Sequence, residues 1–357
     1  MLFDRITVIT APTNTSIFNT IFSSQNPLEF YSFILANPSR AQLFKHLKCP
    51  PQAANQLGNI RAVLPLCTQL RSLTVQVASA QSIFAQVSLR SFPVLRKLVL
   101  TNVLTFPSLI QFFESILDGI ELEDLSLLLD DTYAEQPADI LEEPRAPPLL
   151  SLRAFSLFND NQTSTSPMLL DYLYPILLRL RRLVIRTNVF LSPDIAQLIE
   201  ANTRTLKSLD LSYIFDLSDL FPRLVSNRIS RDLVVHLPIL SDELANYLVA
   251  LARVFLELDP ASMSLRCISF LITSSYTLVD LGHHCDLWAR LADALCRFPH
   301  LEVISLLLEV DMDSGPLSSW LIRKKDLEVH PAFENLRTDR RLQVMQEQII
   351  DGRISRW

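Results

Sequence analysis

Apolar positions in this chain return again and again in one short phrase. Residues 180–188 read LRRLVIRTN, which is L-x-x-L-x-[LI]-x-x-N. The phrase recurs as LRSLTVQV from Leu70, LRKLVLTN from Leu95, LEDLSLLLD from Leu122 and LRAFSLFN from Leu152. Further copies are LKSLDLSYI from Leu206, LRCISFLI from Leu265 and LEVISLLLEV from Leu301. From the first Leu of one copy to the next, the early steps are 25, 27, 30, 28 and 26 residues. A period of this size marks a repeat architecture, and eight evenly phrased copies are hard to obtain by chance.

Side chains alternate along a strand. In the copy at Leu180, Leu183 and Ile185 therefore point to one side, and Arg182, Val184 and Arg186 to the other. Leu180 precedes the strand and turns inward at its start. No single unit buries its apolar side alone, so each must stack on its neighbours. The pattern predicts an α/β solenoid, a curved horseshoe with at least seven parallel strands on its concave face and helices or irregular segments outside.

Between the strands the apolar period changes to that of helices. Helices are expected at Thr15–Phe22, Pro27–Leu35, Gln52–Leu64 and Gln81–Val87, with a short helix or turn over Pro38–Leu47. A clearer one begins near Phe106, where Leu109, Ile110, Phe112, Phe113, Ile116 and Leu117 form an apolar stripe. Pro167–Leu178 supplies another, kinked or ended by Pro175. Ser192, Pro193 and Asp194 form a helix start. Ile239–Leu258 is the longest helical pattern, preceded by a divergent strand over Asp232–Leu237, and Asp286–Phe298 follows. Leu2–Thr10 reads as a first, imperfect strand. Asp130–Pro148 and Asn159–Ser166 read as polar loops.

Three regions result. Residues 1–69 are an N-terminal strand and helical cap with room for degenerate repeats, and residues 70–310 are the repeat array. Residues 311–357 are a C-terminal cap and tail, with Trp320–Lys325 and Thr338–Ile350 covering the last unit and Asp351–Trp357 frayed.

Composition narrows the function classes. Of 357 residues, 49% are hydrophobic and 20% charged, which suits a folded chain with a large core. A net charge of -6 speaks against a nucleic-acid partner, which calls for a basic field. Five Cys without close pairing do not form a disulfide framework, so a reducing compartment, cytoplasmic or nuclear, is expected. The N-terminus is too polar for a signal peptide, and no apolar run is long enough for a membrane span. Only five Gly occur, so no glycine-rich phosphate loop is present.

Candidate chemistry is sparse. His283, His284 and Cys285, with Cys296 and His300 after them, are the nearest approach to a metal cluster. Three adjacent residues do not surround one ion readily, so no metal or cofactor is expected. The acidic series Asp124, Asp130, Asp131, Glu135, Asp139, Glu142 and Glu143 lacks the ligand alternation of a calcium loop. Neither G-x-S-x-G nor H-E-x-x-H occurs, and no enzyme activity is expected.

The strand face is the better candidate. Its outward positions include Ser72, Thr74 and Gln76, then Lys97, Val99 and Thr101, then Asp124, Ser126 and Leu128. Ala154, Ser156 and Phe158 continue it, and Cys267 and Ser269 lie further on with Ser305. A protein ligand is expected on this face, bound by Arg182, Arg186, Ser208, Asp210, Ser212, Leu271, Val303 and Leu307. The centre would be polar and of mixed charge, with Asp210 diagonal to the two arginines, and the C-terminal end more apolar.

These repeats resemble the leucine-rich repeat region of fungal F-box-like proteins. The early LFDRITV, the LRSLTV and LRKLVL units and the final LEVISLLLEV carry the likeness, over Leu70 to Val310 and more loosely before it. The resemblance implies a protein-interaction scaffold related to the substrate-recognition subunits of SCF-type ubiquitin ligases. Members of that group carry an N-terminal F-box that binds an adaptor. Its leading L-P-x-E-[IL] phrase does not occur in Met1 to Gln69, so an adaptor is expected only if an F-box precedes this sequence or has diverged strongly. The alternative is a stand-alone repeat scaffold without a ubiquitin link. A hydrolase or metalloenzyme has no motif behind it.

Overall fold

The computed structural model describes residues 27–49, 57–116, 120–134, 152–159, 167–187, 193–211, 231–237, 241–260, 265–272, 283–309, 333–338, 341–350 and 353–356. The chain divides into two compact units, Met1–Asn161 with Ser166–Leu177, and Gln162–Thr165 with Leu178–Trp357.

In the first unit the strands are β1 (His46–Lys48), β2 (Ser72–Gln76), β3 (Lys97–Thr105), β4 (Asp124–Ala134) and β5 (Ala154–Asn159). They lie side by side in chain order, each parallel to the next. The helices are α1 (Pro27–Ala36), α2 (Pro38–Ala41), α3 (Leu57–Val63), α4 (Val77–Phe84), α5 (Phe106–Ile116) and α6 (Pro167–Leu173). The second unit continues the scheme with β6 (Arg182–Thr187), β7 (Ser208–Leu211), β8 (Asp232–His236), β9 (Cys267–Ile272), β10 (Val303–Glu309), β11 (Leu342–Ile350) and β12 (Arg353–Arg356). Here β6 to β11 run parallel in chain order and β12 returns antiparallel to β11. Its helices are α7 (Pro193–Ala201), α8 (Ser241–Glu257), α9 (Cys285–Cys296) and α10 (Glu334–Thr338). Both units are therefore mixed α/β structures built on parallel strands, and all eight copies of the phrase lie on strands.

The register turns the repeated leucines into columns. Leu73, Leu98, Leu125 and Phe155 are in register, as are Val75, Leu100, Leu127 and Leu157. In the second unit Leu183, Leu209, Leu233, Ile268 and Ile304 form one column, and Ile185, Leu211, Val235, Phe270 and Leu306 another. Every one of these side chains is buried, as is the leading Leu of each phrase. Full burial of such a side chain is worth about 1.5–3 kcal/mol. Helices cover this face: Trp288 of α9 meets Phe270 edge-on at 5.8 Å and Phe333 at 4.9 Å. In the first unit Tyr172 of α6 stacks on Phe113 of α5, 6.2 Å between centroids.

Local signals explain most boundaries. Pro107 occupies the first turn of α5, where its missing N–H costs no hydrogen bond. At Pro175 the helix α6 gives way to a 3-10 turn over Tyr174–Ile176. Asn102 has φ 51°, a left-handed conformation that Asn tolerates, and the β3–β4 register slips there between Leu100 and Val103.

Some expectations change. Pro38–Leu47 is not helical throughout: α2 ends at Ala41, and His46–Lys48 become β1 because Arg71 and Ser72 donate their N–H groups to the Lys45 carbonyl. Helix α4 starts at Val77, four residues earlier than expected, directly on leaving β2. Asp130–Ala134 belong to β4 rather than to a loop. Leu342–Ile350 is a strand paired with β10, and Arg353–Arg356 is paired rather than frayed. The expected elements at Leu2–Thr10, Thr15–Phe22 and Trp320–Lys325, and the loop beyond residue 134, lie outside the described residues.

Candidate functional site

The face opposite the helix-covered columns carries the alternate side chains of every strand. Ladder register sorts them into rows. The first row, at the strand starts, is Ser72, Lys97, Asp124 and Ala154 in the first unit. In the second unit it is Arg182, Ser208, Asp232, Cys267 and Val303. Apart from Ser72, which is buried, these side chains are half-buried, and Asp232 is exposed. Lys97 donates to the Asp124 carboxylate at 2.8 Å across neighbouring strands.

The second row is closed. Thr74, Val99, Ser126 and Ser156 are buried in the first unit, and Val184, Asp210, Val234, Ser269 and Ser305 in the second. Each is flanked in register by side chains of the strands beside it. The expected open, polar centre is therefore an interior.

Its chemistry is concentrated at Asp210. Arg186 Nη2 donates to Asp210 Oδ2 at 2.8 Å, and Arg186 Nε to Oδ1 at 3.2 Å. On the other side His236 Nε2 lies 3.0 Å from the same Oδ1. Arg186 is 6% exposed, Asp210 3% and His236 6%. Burial alone would raise the Asp210 carboxyl. The Arg186 charge and the His236 hydrogen bond outweigh it and hold Asp210 well below the usual carboxylate range. The three come from β6, β7 and β8. Because Asp210 is in register with Val184 and Val234, both partners reach it on the diagonal, two residues further along their strands.

Beyond this trio the face mixes buried serines, Ser269 and Ser305, with apolar side chains. Val234, Leu271 and Leu307 form one buried cluster, with Met345 packed against it.

The structure thus separates the expected site residues. Arg182, Ser208 and Val303 stand in the accessible row. Arg186 and Asp210 form a buried pair, which corrects the expectation of an exposed mixed-charge centre. Leu271 and Leu307 are buried with each other, so they offer packing rather than an open anchor. Ser212 lies outside the described residues, as do residues 135–143 of the acidic series. His236 was not anticipated, because the β8 sequence RDLVVH lacks the leading Leu of the other copies. Its alternation of Asp232, Val234 and His236 against Leu233 and Val235 was the available signal. Asn202 was missed as well: its Oδ1 accepts from the Leu180 N–H at 2.8 Å while its Nδ2 donates to the Leu198 carbonyl at 2.8 Å.

Among the described residues no three His, Cys, Asp or Glu side chains come together as metal ligands. None of the described helices is long and apolar enough to cross a membrane. No protein-family model and no curated protein matches this sequence.

Proposed function

We propose that the chain is a leucine-rich-repeat scaffold that recognises a protein through the strand-start row of its parallel sheet. The observation that carries this reading is the in-register series Arg182, Ser208, Asp232, Cys267 and Val303. It is a set of accessible, chemically varied side chains fixed at strand spacing above a buried row. Such a surface is rigid before binding, so little ordering entropy opposes association. Arg182 is the polar anchor of the row, in keeping with the enrichment of Arg at binding hot spots. The narrower role, substrate recognition in SCF-type ubiquitin ligation, rests on the resemblance to fungal F-box-like proteins.

Site-specific photo-crosslinking tests the surface. A benzoylphenylalanine placed at Ser208 is expected to capture a protein partner in cell extract, and the same probe at the exposed Val249 of α8 is not. Capture from Val249 alone would move the site to the helices. Once a partner is identified, Arg182→Ala is the informative variant, since Arg186 is buried and its loss would disturb the fold. Capture of the SCF adaptor by the full chain would support the ligase role, and its failure would leave a stand-alone scaffold.

A further inference from the structure

One residue before most of the strands, the chain repeats a backbone device. The carbonyl of that residue accepts two successive N–H groups from the next strand. Arg181 O accepts from Lys207 and Ser208, and Lys207 O from Arg231 and Asp232. Arg231 O then accepts from Arg266 and Cys267, and Arg266 O from Glu302 and Val303, all at 2.8–3.0 Å. The device makes Arg181, Lys207, Arg231, Arg266 and Glu302 structurally equivalent, one per strand. All five are exposed. Four consecutive strands of the second unit therefore present four consecutive cations, on a chain whose net charge is -6.

The first unit repeats the device at Lys45, Arg71, Arg96 and Glu123, the last accepting from Arg153 and Ala154. There Glu123 sits between two cations and faces both, 3.8 Å from Arg96 and 4.0 Å from Arg153. Among the described residues, the equivalent positions of the second unit hold no acid between two cations. Arg266 meets Glu302 at 3.5 Å. Arg181, Lys207 and Arg231 have no ion-pair partner among the described residues. Asp232, beside Arg231, is a further carboxylate along the strip.

We propose that Arg181, Lys207, Arg231 and Arg266 form a docking strip for a short acidic, extended polypeptide segment that crosses the strand starts. The proposal rests on the protein-recognition reading above and names the chemistry of the partner. Adjacent strands lie about 4.8 Å apart, so the strip spans about 14 Å, the reach of roughly four or five extended residues. Three of its members are arginines, whose planar guanidinium takes a carboxylate through two parallel hydrogen bonds. Glu302 closes one end. A strip of four cations bounded by an acid, on an acidic chain, matches a short run of carboxylates. A long phosphate polymer would draw its affinity from many more contacts than these.

Fluorescence anisotropy with a labelled hexaglutamate peptide and the full chain tests this. The peptide is expected to bind, with affinity falling as salt rises, and a matched hexaglutamine peptide is not. Charge reversal at two exposed positions, Lys207→Glu with Arg231→Glu, should weaken binding by roughly ten-fold or more, while Lys207→Arg retains it. Arg253→Glu on α8 serves as the control and should change nothing. Equal affinity in the folded reversal variant overturns the strip. So does tighter binding of a thymidine oligonucleotide or of phosphatidylserine vesicles than of the peptide. A partner that crosslinks at Ser208 yet binds the reversal variant unchanged would also overturn the strip, while leaving the strand-face reading in place.

Discussion

At the scale of single residues, Asp210 bears the largest electrostatic stake. Its carboxylate is buried between Arg186 and His236 and is kept charged by them. Two charges removed from water together are tolerable; one left alone is not. Asp210→Ala strands the Arg186 guanidinium in the interior and should cost about 3–5 kcal/mol in urea unfolding. A loss within the range of ordinary surface changes, about 0.5 kcal/mol, would place the pair outside the cooperative fold. The pH dependence has a definite sign. A carboxyl depressed in the folded state takes up its proton more readily when the chain unfolds. Its contribution is therefore complete above the unfolded value, about 3.9, and is lost as pH falls through and below it. Unfolding midpoints measured from about pH 6 down to about pH 3 should thus fall more steeply for the native chain than for Asp210→Asn. Parallel profiles would show that Asp210 makes no differential contribution.

At the scale of elements, the strands were legible because each phrase states its own geometry. Leu183 and Ile185 alternate with Arg182 and Val184, and the fold honours that alternation. Helix ends were less legible, since they are settled by contacts between distant residues. The end of α7 is an example. Asn202 is fully buried, holds the Leu198 carbonyl of its own helix and accepts the Leu180 N–H ahead of β6. Nothing local to Asn202 announces a partner 22 residues earlier. Asn202→Ala leaves a buried donor and a buried acceptor unsatisfied, each worth about 1–3 kcal/mol. The variant should melt earlier, with faster amide exchange at Leu180. Unchanged exchange at Leu180 would show that the side-chain bond does not hold the strand start. The same limit explains β1, whose three residues carry no readable period and become a strand only because β2 pairs with them.

At the scale of whole units, the repeat dictated parallel strands in chain order, and the rows of the candidate site followed from register alone. Depth did not follow, because alternation gives the direction of a side chain and not what lies above it. Hence Arg182 and Val303 are half-buried in the strand-start row, while Arg186, Leu271 and Leu307 are interior. The closing pair β11 and β12 escaped notice for a related reason. LQVMQEQII mixes Gln and Glu with apolar residues and reads as amphipathic or polar, so its pairing with β10 decides its state. That pairing protects a largely apolar strand, VISLLLE, along six register positions from Ile304↔Leu342 to Glu309↔Glu347. Beyond it, β12 (Arg353–Arg356) pairs antiparallel with β11. Deleting residues 342–357 would strip β10 of this cover and uncouple Met345 from the Val234, Leu271 and Leu307 cluster. A long apolar strand left at an open sheet edge is a template for association. The truncated chain should unfold at lower denaturant and sediment as concentration-dependent oligomers, whereas the full chain should not. A truncated chain that stays monomeric with an unchanged midpoint would show that β11 and β12 are appended to the second unit and do not complete it.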